Sequence, residues 1–184
     1  MKILIVRIAA SVALCGLLTF AIAAQTQPAS NSGQSGATQS NPAQKGMAMT
    51  KRASGVFDVK VIPQKPDNKE AEAANFGRMS LDKRFHGDIE ATSKGEMLGA
   101  MTEVKGSAGY VAMERVTGTV NGRKGTFVLQ HSGTMAHGES KMSVTVVPDS
   151  GTGELTGLSG SMTIKIEEGG KHFYEFDYTL PDAR

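Results

Sequence analysis

The chain has 184 residues, 39% hydrophobic and 21% charged, with one cysteine, no tryptophan and a formal net charge of +2. Those figures suit one domain with a buried core and exclude a disulfide scaffold and a disordered polyelectrolyte. Removing Lys2 and Arg7 from the 20 basic residues leaves 18 against 18 acidic ones, with no basic block or aromatic–basic stripe, so nucleic acid is not an expected partner.

The first residues read as a targeting segment. Lys2 and Arg7 precede an apolar run from Ile8 to Ala24 that ends in Ala21-Ile22-Ala23. A charged start, an apolar centre and a small-x-small site form the layout of a secretory signal peptide, predicted over residues 1–24 with cleavage near Ala23-Ala24. An uncleaved anchor is the competing reading, disfavoured because the run is short for a bilayer span of about 20 residues and lacks a basic flank after it. Lipidation at Cys15 is weaker still, since Leu14 is bulky for the preceding position. Cys15 is the only cysteine, so the mature protein is predicted to have neither disulfide nor thiol nucleophile, no membrane span, and a periplasmic or secreted address. Residues 25–52 begin with QTQPASNSGQSG, a Gln-, Ser- and Gly-rich composition without hydrophobic period, and are read as a disordered linker.

From residue 53 to 184 a single domain is predicted, and nearly every segment in it has period two. Phe57, Val59 and Val61 alternate with Asp58 and Lys60 in a first strand ending at Pro63. The polar insert that follows holds Glu70–Ala74, a candidate helical turn but more simply a surface loop. Met79, Leu81, Phe85, Ile89 and Ala91 share one parity between Arg78 and Ser93, with Gly87 read as a bulge or bend. Glu96–Glu103 reads as a separate short strand. Two alternating runs, Tyr110–Val120 and Arg123–Met135, flank Asn121-Gly122, the strongest short-range hairpin signal. Lys141–Val147, Ser161–Glu167 and His172–Leu180 complete about eight strands with no convincing helix. Short hairpins between successive strands favour an all-β, eight-stranded antiparallel up-and-down barrel over a sandwich.

A two-residue type I′ turn at Asn121-Gly122 sets the register. Val120 then opposes Arg123, Val116 opposes Phe127, Glu114 opposes Leu129, Ala112 opposes His131 and Tyr110 opposes Gly133, all on one face. That face is the more apolar and is taken as the interior; Met113, Arg115, Thr117, Thr126, Val128 and Gln130 lie on the other. Glu114 and His131 become diagonal neighbours in an apolar tube, where desolvation is expected to raise the carboxyl pKa and the imidazole to counter it partly. Lys83 shares the parity of Leu81 and Phe85 and could neutralise Glu114 from inside. The functional reading is an acid–base pair, Glu114 and His131, of the kind isomerases and cyclases use. The structural reading is a self-satisfied buried ion pair that holds strand register. A three-residue loop would shift the register by one and disturb this pairing.

Other constellations are weaker. His86, His131, His137 and His172 lack the spacing that puts two ligands on one face, so no metal and no cofactor are expected. Ser132 lies on the opposite face from His131, and no Gly-x-Ser-x-Gly elbow is present. The methionines could line an adaptable binding surface or simply fill a core. Candidate contacts for a small apolar ligand are Tyr110, Lys83, Phe127, Leu129 and Met113.

Two sets of residues carry a resemblance. Gly151–Gly160 (GTGELTGLSG) resembles the glycine-rich turn of allene oxide cyclase and dirigent-type barrels, with Leu155 where those have an aromatic. The stretches Leu81–Leu98, Tyr110–Met135 and Ser143–Gly160 resemble the bacterial domain-of-unknown-function family 3224, whose members mostly begin near MTKRASG, residues 49–55 here. The resemblance implies an allene-oxide-cyclase-like, calycin-like barrel and no activity, since fold alone does not carry a reaction. The glycine turn also brushes a phosphate-loop pattern, but a strand follows it and no lysine sits after the glycines, so barrel-corner packing explains it better. The expected function is a non-catalytic binding or scaffold role with a small apolar or amphipathic guest; the alternatives are the acid–base isomerase or cyclase, and a purely structural or self-associating barrel. A homo-oligomer is possible, with no interface identifiable from the residues.

Overall fold

The computed structural model describes residues 49–65 and 69–181; the expected signal peptide lies outside them, as does the expected linker up to residue 48. The remainder is one compact unit, and no helix among the described residues is long and apolar enough to cross a membrane. Eight strands close into an antiparallel barrel in chain order: β1 (Lys51–Gln64), β2 (Phe76–Gly87), β3 (Ile89–Met101), β4 (Ala108–Val120), β5 (Arg123–Ala136), β6 (Glu139–Val146), β7 (Ser159–Ile166) and β8 (His172–Thr179). The up-and-down order follows from the connections: each is short enough to return the chain antiparallel to its neighbour.

The predicted hairpin register is the observed one. Val120 pairs with Arg123, and the ladder continues through Glu114–Leu129 and Ala112–His131 to Tyr110–Gly133. Asn121 and Gly122 both have positive φ, 47° and 80°, the type I′ geometry whose twist matches the strands it joins.

Four expectations are corrected. β1 does not stop at Pro63 but runs to Gln64; beyond Phe57 it pairs only with β2, and a free edge tolerates a residue without an N–H. Lys69–Ala73 is a short helix, α1, not a loop; its alanines and glutamates are good helix formers, and Asn75 at φ 58° ends it in the left-handed conformation. Gly87 is no bend within a strand: the chain reverses at Gly87-Asp88, and Phe85 pairs with Ala91. Asp88 locks that reversal by accepting the Ser54 backbone N–H at 2.8 Å. Glu96–Glu103 is accordingly no separate strand, because β3 runs unbroken through Gly95 to Met101.

The two ends of the barrel differ. At one end Leu155 and Leu158, from the glycine-rich connection with its 3₁₀ turn at Gly153–Leu155, are buried with Phe176, Tyr178 and Leu180. Asn121 Nδ2 donates to the Tyr178 hydroxyl at 2.9 Å, and the Ile89 N–H donates to the Tyr174 hydroxyl at 2.8 Å. The axis above is filled by rings: Phe127 stacks on Phe176 at 5.9 Å, Phe176 on Tyr178 at 5.2 Å, and Phe85 meets Tyr174 edge-on at 5.7 Å. At the other end inward-parity side chains remain partly exposed, Val61 at 45% and Met142 at 41%, with Met79, Met97 and Ile164 intermediate. The wall is also slit there: β6 and β7 share a single bridge, Thr145–Ser161, and a cavity of about 440 Å³ between them is lined by Met142, Met162 and Ile164 among others.

Candidate functional site

Four buried polar residues meet beneath the open end. Lys83 on β2 lies opposite Ser93 on β3, while Glu114 on β4 lies opposite Gly95 and Leu129. Strand alternation therefore turns Lys83, Ser93, Glu114 and His131 inward together. Lys83 reaches across β3 to meet Glu114, and Gly95 lets β4 lie close to β3: a Cβ there would stand 2.4 Å from the Met113 carbonyl oxygen and 2.6 Å from the Glu114 Cβ. The glycine serves close approach, which is why it does not end the strand.

Glu114 accepts three hydrogen bonds. Its Oε1 takes one from Lys83 Nζ at 2.8 Å and is 2.8 Å from His131 Nε2; its Oε2 takes one from Ser93 Oγ at 2.8 Å. The residue is 1% exposed, His131 3% and Lys83 6%. Lys83 Nζ also stands 5.0 Å from the centroid of the Phe57 ring, a cation–π contact that helps hold a charge away from water.

The expected rise in the Glu114 pKa is not found. Desolvation does push it up, and is the largest single influence. The hydrogen bond from His131, the charges of Lys83 and His131 and the bond from Lys83 together outweigh it and bring the carboxyl down to about 2. Glu114 is therefore an ionised carboxylate with its lone pairs engaged, a weak base. Tyr110 is half-buried on the same face, its phenol raised by burial and by the Glu114 charge; its ring lies against Gly133.

The other predicted contacts separate. Phe127 and Leu129 are fully buried in the ring-filled core, accessible to a guest only if that core opens. Met113 points outward and is 48% exposed, as its parity requires, so it cannot share a site with the interior set. Ser93 was missed by sequence reasoning although it continues the parity of Lys83, Ile89 and Ala91. Also unforeseen was an outer-wall trough of about 570 Å³ lined by Phe76, Leu98 and Val111 among others; apolar residues at outward parity were its available signal. No three His, Cys, Asp or Glu side chains converge among the described residues.

The barrel has relatives among known proteins. The family model described as "Protein of unknown function (DUF3224)" matches residues 53–178. A crystal structure of a protein of unknown function from the DUF3224 family of Shewanella oneidensis MR-1 is similar at 52% identity and a TM-score of 0.67, covering 72% of this chain and 99% of that one. No curated protein matches the sequence.

Proposed function

The chain belongs to the DUF3224 family, a membership that brings a barrel and no activity, and we propose that it is an exported, non-catalytic binding or scaffold protein that receives a small apolar or amphipathic guest at its open end. The observation that carries this reading is the contrast between a filled axis and an open rim. A ring-packed interior leaves little room, whereas Val61, Met79, Met97, Met142 and Ile164 present partly exposed apolar surface at one mouth. Thioether side chains adapt to apolar guests of varied shape, and the loosely paired β6–β7 wall beside them can yield. The Lys83–Glu114–His131 network is the floor of that mouth: its charges satisfy one another, which suits a structural role better than turnover. The glycine turn at Gly151–Gly160 and the chain-order topology support kinship with allene-oxide-cyclase-like barrels.

Native mass spectrometry of protein purified from its own host tests guest and export together. The expected result is a mass lacking residues 1–24 and a co-purifying small molecule. An intact N-terminus would end the proposed cleavage near Ala23-Ala24 in favour of a retained anchor. Absence of any guest, with a melting temperature unchanged across a lipid and metabolite panel, would end the binding proposal.

A second reading rests on one specific feature. His131 Nδ1 makes no hydrogen bond among those described, while Nε2 is held by the ionised Glu114. In this acid–base isomerase or cyclase reading the roles are exchanged: Glu114 orients the imidazole and His131 moves the proton, the division of labour of an orienting carboxylate and its histidine. Any turnover found should fall at least about 100-fold in His131→Gln; full activity in that variant removes the reading.

A further inference from the structure

The outer wall of β2–β5 carries an apolar surface with a definite shape, unpartnered among the described residues. Residues in register across neighbouring strands form rows, and one outward row runs Leu98–Val111–Ser132. Leu98 is 49% exposed and Val111 55%, so this row stands as an apolar ridge. On one side lies the row Phe76–Ala100–Gly109–Thr134. Because Ala100 and Gly109 are small, the space between the two rows is a trough of about 570 Å³. On the other side, toward Glu96, Met113 and Gln130, a second trough of about 450 Å³ flanks the same ridge. Phe76 and Met113 are themselves 46% and 48% exposed. These four large side chains thus leave apolar surface exposed on one face, and clustered rather than scattered exposure is what marks an interaction site.

Gly109 adds an independent observation. Its backbone is not in the left-handed region, and a Cβ there would meet only the Gly133 carbonyl oxygen, at 3.7 Å, an ordinary contact. The fold does not need glycine at this position, the second residue of β4. What a side chain at 109 would do is fill the trough, since residue 109 shares the outward parity of Val111 and Met113.

We propose that this face is a two-fold interface between copies of the chain, the Leu98–Val111 ridge of each seated in the Gly109 trough of the other. The shape selects this occupant. A ridge beside a parallel trough of like chemistry is self-complementary, which is what an isologous contact demands: residue i meets j and j meets i. Charge permits it. The rim holds both signs, with Arg78 and Glu96 paired at 2.7 Å and Lys141 across the sheet, so a copy meets its like without a single-sign clash. The trough is too open to enclose most of a small ligand's surface, as small-molecule sites do, whereas a flat apolar centre with a polar rim is how protein interfaces are built.

Sedimentation velocity on the protein purified from its host, from about 1 µM to about 100 µM, tests this. Wild type is expected to sediment as a dimer at the upper end, and Val111→Lys as a monomer throughout. Gly109→Val is expected to weaken association at least about 10-fold, with the melting temperature of its monomer equal to or above that of the Val111→Lys monomer, because it fills the trough with a residue strands favour. A wild-type monomer at the highest concentration overturns the proposal, as does an oligomer that survives either substitution. If Gly109→Val unfolds the protein instead, Gly109→Ala and Leu98→Lys replace it and are read by the same criterion.

Discussion

The sealed and open ends of this barrel are built from the same alternating strands and differ in what fills them. At the sealed end large apolar side chains close the axis and buried hydroxyls are satisfied, Tyr178 by Asn121 and Tyr174 by the Ile89 backbone. At the open end flexible methionines share the rim with Tyr110, the β6–β7 seam is held by one bridge, and a charged network lies just beneath. Dense packing stabilises the first region, whereas the second leaves inward-parity apolar side chains partly exposed.

The floor of the open end should break most dramatically. Lys83→Met leaves the Glu114 carboxylate buried with fewer compensating charges and is expected to destabilise the fold by about 4 kcal/mol in urea unfolding. A loss below about 1 kcal/mol would mean that the network is solvated and that the two ends differ less than their burial suggests. Replacing Lys83 and Glu114 together by Met and Leu should recover much of the loss, since neither charge is then stranded.

Packing at the two ends can be compared directly. Leu155→Ala removes a wholly buried side chain and is expected to cost about 3 kcal/mol. Met97→Ala, on an intermediate residue of the open rim, is expected to cost about 1 kcal/mol or less. Equal losses would erase the distinction between a tightly packed end and a loosely packed one.

The charged floor also predicts a pH dependence of on the order of 3 kcal/mol in all. The Glu114 carboxyl is lowered from 4.5 to about 2 in the folded protein, so the unfolded chain binds the proton more tightly. Its contribution is fully present above about pH 4.5 and is lost as pH falls through about 2. Unfolding midpoints measured over that window should drop less steeply in Glu114→Gln than in wild type; parallel profiles would show that the carboxyl is not depressed.

Much of this was legible in the residues, for a physical reason. Side chains alternate across a strand, so once Asn121-Gly122 specified a two-residue turn, the pairing of Glu114 with Leu129 and of Ala112 with His131 followed, and parity placed Lys83 inside. Glycines were the ambiguous letters. Gly87 beside a chain reversal and Gly95 within an unbroken strand read alike in an alternating run, because absence of a side chain is compatible with a turn, a bend or a close approach. The strand count came out right although one boundary fell at Gly95 instead of Gly87-Asp88. The sign of the Glu114 shift was likewise out of reach. It depends on Lys83, Ser93 and His131, from three different strands, converging on one carboxylate.

The amino-acid order by itself determined the all-β barrel, its central register and which residues face inward, since these rest on local turn chemistry and on period two. Only the tertiary structure decided that the axis is filled, that Glu114 is held ionised and that one outer face carries a ridge beside a trough. Those properties arise where strands distant in sequence are brought side by side, and distances between them are not written in any one strand.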